Sequence, residues 1–190
     1  MKNNYYLMRH GYSHANEEGL IICDPSSAIS GYGLTQKGED EVRKVATLLR
    51  GHINGSPIVC SSDFLRAQRT AEIMVDQLGG KLMVDKRLRE RDFGKLNGQS
   101  DLRYHEVWDL DSNLDNDIFD VESVRSLVER VKGLLDSLES RFSGEDIILV
   151  SHGDPLMAIN TYVQHGDIKF LVPDFENAEV RLLGSSAALI

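Results

Sequence analysis

Three short apolar runs, Tyr5 to Arg9, Pro57 to Ser61 and Asp146 to Ser151, each end in a polar or glycine-containing turn and are each followed by a helical pattern. Runs of this length without alternation suit strands buried on both faces, and their succession with helices is the grammar of a parallel sheet. Thr35 is the expected N-cap of a helix reaching about Arg50, with Val42, Val45, Ala46 and Leu49 on one face and Gly51 closing it. Asp63 is expected to cap a second helix that ends at Gly79-Gly80, ahead of a strand at Lys81 to Val84. The longest amphipathic pattern runs from Val121 to Phe142, where Val124, Leu127, Val128, Val131, Leu134, Leu135 and Leu138 keep i, i+3, i+4 spacing. Another helix is expected after Pro155, whose fixed φ suits a first turn, and a strand near Ala178 to Leu183 would close the sheet.

Two stretches, 19–33 and 92–120, fit neither period and read as loops or lids. There is no internal repeat, low-complexity tract or linker, so the expectation for the 190 residues is one α/β domain spanning 1–190. Its architecture would be a doubly wound, mostly parallel sheet flanked by helices.

Composition changes this picture little: 41% hydrophobic and 27% charged residues are ordinary globular values. The net charge of -9 excludes a generally basic surface for nucleic acid or anionic membrane, so any anion site must be local. Two cysteines, Cys23 and Cys60, are too few for a disulfide framework or a Cys-rich zinc site and fit a reducing compartment. With no stretch suited to a signal peptide or membrane span, a cytoplasmic location is expected. Oligomeric state stays open, a homo-oligomer included.

Chemistry enters where the strands end. The first runs into Arg9-His10-Gly11, the second into Ser61-Ser62-Asp63 with Arg66 one turn into the next helix, and the third into Ser151-His152-Gly153. In a parallel sheet those C-terminal ends share one edge, so the clusters should converge there. Two arginines and two histidines at one edge make an anion pocket suited to a phosphoryl group, whose oxygens match guanidinium forks. A histidine nitrogen can serve as nucleophile, and neighbouring guanidinium charge would keep His10 neutral at pH 7. Gly11 would remove a side chain where phosphate approaches. Departure of the leaving group needs a proton donor, for which Glu90, in Leu88-Arg89-Glu90-Arg91-Asp92-Phe93-Gly94, is the choice. Asp154 is the rival acid, although its position before Pro155 reads as a helix cap.

Other candidates have plainer readings. Arg69 reads as a solvated or salt-bridged neighbour of Arg66, and Ser13 as a turn hydroxyl. His10 and His14 stand four apart, but Gly11 interrupts any helix that would pair them on a metal. His52, His105 and His165 read as incidental. No metal or cofactor is expected.

Leu7-Met8-Arg9-His10-Gly11-Tyr12-Ser13-His14-Ala15-Asn16 resembles the signature of the histidine phosphatase superfamily, in its phosphoglycerate mutase-like branch. Ser61 to Ala71, Leu88 to Gly98 and Ser151-His152-Gly153 resemble its further elements, in the same order. The resemblance implies that His10 becomes phosphorylated, that Arg9, Asn16, Arg66 and His152 bind the phosphoryl group with the Gly153 N–H, and that Glu90 donates and accepts the proton. Asn177 resembles a recurring C-terminal position of the family.

Within that family the chain reads as a phosphatase of small phosphorylated substrates rather than a cofactor-dependent phosphoglycerate mutase. Family mutases carry an Arg- and Lys-containing insertion after the Glu element, whereas Asp101 to Asp120 here holds seven acidic residues and Arg103 as its one fixed cation. Trp108 and Tyr104 could pack on substrate or anchor that segment. A third reading is a catalytically silent module that binds phosphorylated partners.

Overall fold

The computed structural model describes residues 1–166 and 175–190. Along the chain run β1 (Asn4–Arg9), α1 (His14–Glu18), α2 (Pro25–Ala28), α3 (Gln36–Leu49), β2 (Ile58–Ser61), α4 (Leu65–Leu78), β3 (Lys81–Val84), α5 (His105–Trp108), α6 (Val124–Arg141), β4 (Asp146–Ser151), α7 (Gly153–His165) and β5 (Val180–Leu182), with short 3-10 turns between β3 and α6. The sheet order is β3-β2-β4-β1-β5. All neighbours are parallel except β5, which runs antiparallel beside β1 and forms an edge.

Both faces of the sheet are covered, and this explains the unbroken apolar runs. Tyr5, Leu7, Ile58, Cys60, Ile147 and Leu149 face α6 and α7, where Leu127, Val131, Leu134 and Leu138 supply the stripe predicted from periodicity. Tyr6, Met8, Val59, Ile148 and Val150 face Val42, Ala46 and Leu49 of α3 and Ala67, Ala71 and Met74 of α4. Each large aliphatic side chain so buried contributes about 1.5–3 kcal/mol from desolvation. Register matters most for function: Arg9 pairs with Ser151, and Ser61 with Val150, so three strand ends finish at one edge.

Several boundaries differ from the sequence expectation. The cap of α4 is Phe64, without a side-chain bond, while Asp63 is taken by the Arg89 fork at 2.7 and 2.6 Å. That ion pair spans two loops, and sequence cannot display it. Helix α7 begins at Gly153, so Asp154 lies inside the first turn and is no cap. Helix α6 starts at Val124 behind Ser123, whose hydroxyl caps it, and the C-cap of α3 is Arg50, not Gly51.

The stretches 19–33 and 92–120 hold each other in place. The Ile21 N–H donates to the Gln99 carbonyl at 2.8 Å, Gly98 N–H to Ile21 at 2.7 Å, and Asp101 N–H to Gly19 at 2.9 Å. Ile21, Cys23, Phe93, Leu96, Val107 and Val121 bury together as a small separate core. Helices of four or five residues such as α1, α2 and α5 have too few internal bonds to stand alone, so periodicity misses them and tertiary contacts make them.

Helix α3 presses on the turn that follows β1. A Cβ on Gly38 would lie 2.0 Å from the Tyr12 carbonyl oxygen and 2.8 Å from its nitrogen. Gly38→Ala is therefore expected to cost about 2–3 kcal/mol in urea denaturation. A variant as stable as the wild type would show that this close approach is absent.

Candidate active site

The His10 ring is buried at the end of β1. Its Nδ1 lies 2.8 Å from the Gly11 carbonyl, an oxygen that can only accept, so Nδ1 carries the proton. The Nε2 lone pair is left to accept from Arg66 Nε–H at 3.1 Å. Burial, followed by the charges of Arg66 and Arg9, holds the imidazole well below its ordinary range, so it is neutral at pH 7 as the sequence reading expected.

His152, the N-cap of α7, sits edge-on to His10 with ring centroids 5.1 Å apart. Ser62 Oγ contacts its Nε2 at 3.1 Å, and burial with Arg66 and His10 keeps it neutral too. Phe64 packs under the group, edge-on to His152 at 5.3 Å and beneath the Arg66 guanidinium.

Arg66 is 4% exposed, one turn into α4, and spends Nη2 on the Ile22 carbonyl at 2.9 Å. Arg9 reaches the Phe175 carbonyl through Nη1 at 2.6 Å. Among the described residues, Arg9 Nε, Arg66 Nη1 and His152 Nδ1 are buried and have no protein partner. Three such groups around one imidazole are what an anion site requires, because each would otherwise be lost to hydration without return. Gly153 opens α7, whose first N–H groups have no intrahelical acceptor.

Asn16 is brought to the same place. Its Oδ1 accepts from Ser13 N, Ser13 Oγ and Asn177 Nδ2 at 3.2, 2.8 and 3.3 Å, so the amide is oriented and its NH2 is free to donate. Asn177 also donates to the His10 carbonyl at 3.2 Å. Ser13 is the turn hydroxyl expected of it, capping α1.

Glu90 lies half-buried in the loop that leaves β3, with Arg91 N–H donating to its Oε1 at 2.9 Å. Burial raises its proton affinity above that of an ordinary carboxylate, although Arg66, Arg9 and Arg130 oppose the shift. It borders a cleft of about 350 Å³ lined also by Cys23, Lys86, Arg89, Asp92 and Arg130.

The chain matches the family described as "Histidine phosphatase superfamily (branch 1)" over residues 5–186. It belongs to the histidine phosphatase superfamily. It is 36% identical over 154 residues to the "Probable phosphoglycerate mutase GpmB" of Escherichia coli O1:K1, covering 78% of this chain and 68% of that protein. A mycobacterial glucosyl-3-phosphoglycerate phosphatase complexed with VO3 shares the fold, with a TM-score of 0.79, 20% identity and coverage of 93% and 88% of the two chains. So does a phosphoglycerate mutase from Bacillus anthracis str. Sterne, with a TM-score of 0.71, 21% identity and coverage of 93% and 85%.

All the residues singled out within this superfamily's pattern therefore cluster, with two corrections of reason. Gly11 is small because a Cβ would meet Val42 at 2.7 Å and the Gly38 carbonyl at 2.8 Å, not to admit phosphate. Asp154 is a buried polar group rather than a surface cap. Sequence reasoning passed over Thr70, whose hydroxyl accepts from Gly11 N–H at 3.1 Å and donates to the Arg66 carbonyl at 2.8 Å, tying the two motifs together. It also passed over Phe64, whose apolar run gave no sign of the ring's place. Arg69 pairs with Glu39 and Glu72 as expected, and His14 pairs with Glu17 at the surface. No cluster of three His, Cys, Asp or Glu suited to a metal occurs among the described residues, nor any helix long and apolar enough to cross a membrane.

Because Arg66 both donates to Nε2 and repels a proton there, Arg66→Ala should raise the His10 pKa. In NMR titration the wild-type His10 ring is expected to be neutral at pH 7, and the variant's transition should move upward. An unchanged or lower transition would refute this electrostatic account.

Proposed function

We propose that the protein hydrolyses phosphomonoesters of small molecules through a covalent phosphohistidine on His10, without a metal. The observation that supports this reading best is the neutral His10 ring among unpartnered buried polar atoms, the donors Arg9 Nε and Arg66 Nη1 and the ring nitrogen Nδ1 of His152. Those donors, with the Asn16 amide and the Gly153 N–H, suit the three non-bridging oxygens of a phosphoryl group.

The reaction follows from these parts. The Nε2 lone pair attacks phosphorus, and the bond from phosphorus to the ester oxygen breaks. Arginine and histidine N–H groups hold the equatorial oxygens as charge redistributes. Glu90, whose proton affinity burial raises, gives its proton to the leaving alkoxide, which departs as an alcohol. The carboxylate then takes a proton from water as that water attacks the phosphohistidine. Phosphate leaves, His10 is restored and Glu90 is protonated again.

Transfer to a second substrate hydroxyl instead of water is the mutase reading, and the naming of the Escherichia coli relative favours it. Hydrolysis is supported by the segment 101–120. Its one fixed cation, Arg103, is bound to Glu106 at 2.5 and 2.7 Å, so it brings no free positive charge to a second anionic group. Of the cations lining the cleft that Glu90 borders, Arg89 is spent on Asp63 and Arg130 on Glu122, leaving Lys86.

Rapid acid quenching during turnover of p-nitrophenyl phosphate in EDTA should trap an alkali-stable, acid-labile phosphoenzyme. His10→Ala should abolish it; labelling on another residue would sink the assignment, and no turnover from pH 4 to 8 would favour a phospho-ligand-binding module. Glu90→Gln should slow alkyl phosphates by about 10²-fold or more, and aryl phosphates far less. On 3-phosphoglycerate, phosphate release should exceed isomer formation with and without 2,3-bisphosphoglycerate; the opposite order would make the protein a mutase.

A further inference from the structure

Arg91 is fully buried, at 0% exposure, and stands next to Glu90. Its fork closes on Asp111 at 2.5 and 2.9 Å, and its Nε donates to the Glu122 carbonyl at 2.7 Å. Nη1 lies a further 3.4 Å from Asp154 Oδ2. Asp154 is 2% exposed, two residues past His152, and also accepts from Trp108 Nε1 at 3.3 Å. Trp108 in turn stacks on Tyr104 at 4.8 Å, and Tyr104 packs against Phe93 at 4.7 Å.

The cluster thus holds one cation and two carboxyls. Asp111 alone neutralises Arg91 and satisfies its fork, so packing does not demand Asp154. What Asp154 adds is a second buried carboxyl whose charge acts on Glu90 and which anchors the segment carrying Trp108. Sulfur, ring and guanidinium neighbours of Glu90 come from other elements: Arg66 of α4, Arg9 of β1, Arg130 of α6, with Tyr104 and Cys23 from the two loops. The groups facing Asp154 include Glu90, Arg91, Trp108 and Tyr104.

We infer that Asp154 is a positioning residue for the proton donor: its contact with Arg91, whose main-chain N–H binds Glu90 Oε1 at 2.9 Å, fixes the stretch of chain that carries the Glu90 carboxyl, while Trp108 ties the 92–120 loop to the same group. This rests on the reading of Glu90 as the acid. Two buried carboxyls repel when both are ionised, so ionised Asp154 favours protonated Glu90. Burial and the charge of Glu90 raise Asp154 in the same way, and Arg91 and the indole N–H pull it back. The protons therefore belong to the pair, and changing either member moves the other.

The sign of the test follows. Asp154→Asn keeps the size of the group and leaves Arg91 balanced one-to-one by Asp111, but removes the repulsion. Glu90 should then ionise more easily, and the alkaline limb of kcat/KM for an alkyl phosphate should move to lower pH by on the order of one unit. At pH 7 the loss on the alkyl phosphate should exceed the loss on p-nitrophenyl phosphate. Trp108→Phe retains the stacked ring and removes the N–H that favours ionised Asp154, so its limb should move the same way by a smaller amount; this variant decides the matter if Asp154→Asn does not fold.

A purely structural Asp154 predicts equal losses on both substrates and an unmoved limb in both variants, and that result would overturn the inference. Glu90→Gln separates this failure from that of the parent reading. If Glu90→Gln removes the alkaline limb while the Asp154 and Trp108 variants leave it in place, only the inference falls; if Glu90→Gln keeps the limb, the acid assignment itself falls.

Discussion

The site depends on the withdrawal of Arg66 and two imidazoles from water at the edge where β1, β2 and β4 end. Placing an unbalanced guanidinium there is costly, and two features make it tolerable. Both histidines stay neutral, so positive charges do not accumulate, and the guanidinium donors not used on main-chain carbonyls face a place where an anion can balance them. The surrounding fold is arranged around that requirement. Phe64 floors the arginine, Thr70 binds its main chain to Gly11, and the Ile22 carbonyl draws the 19–33 loop over it.

The same desolvation that keeps His10 and His152 unprotonated raises the proton affinity of Glu90 and Asp154, because burial disfavours the charged form of either kind of group. One physical cause thereby leaves a free lone pair on the His10 imidazole and strengthens the hold of the neighbouring carboxyls on a proton. Arginines sharpen the contrast on the imidazole side and moderate it on the carboxyl side. The segment 101–120, which by composition could have been a solvated acidic loop, instead sends Asp111 and Trp108 inward and leaves its other carboxylates nearer the surface.

Much of this was legible before any coordinates. Buried strands read as apolar runs because a sheet covered on both faces wants no alternation, and α6 read as a helix because its stripe of valines and leucines meets one face of that sheet. His10, Arg9, Arg66, His152, Asn16 and Glu90 were named because each follows a strand or stands in a motif, and the register of Arg9 with Ser151 and of Ser61 with Val150 brings the strand ends together. Errors arose where the partner was remote in sequence. Asp63 looked like a cap and is an ion pair with Arg89; Gly11 looked like room for phosphate and is room for α3.

By itself the sequence determined the parallel core, the cluster around His10 and the family, since periodicity and short motifs are local properties of the chain. Only the tertiary structure decided how the acid side of the pocket is built. Asp111 and Asp154 lie 20 and 63 residues from Arg91, and each of the three alone reads as an ordinary charged residue. Their burial beside Glu90 depends on two irregular loops that pair with each other, a long-range outcome that no local pattern encodes.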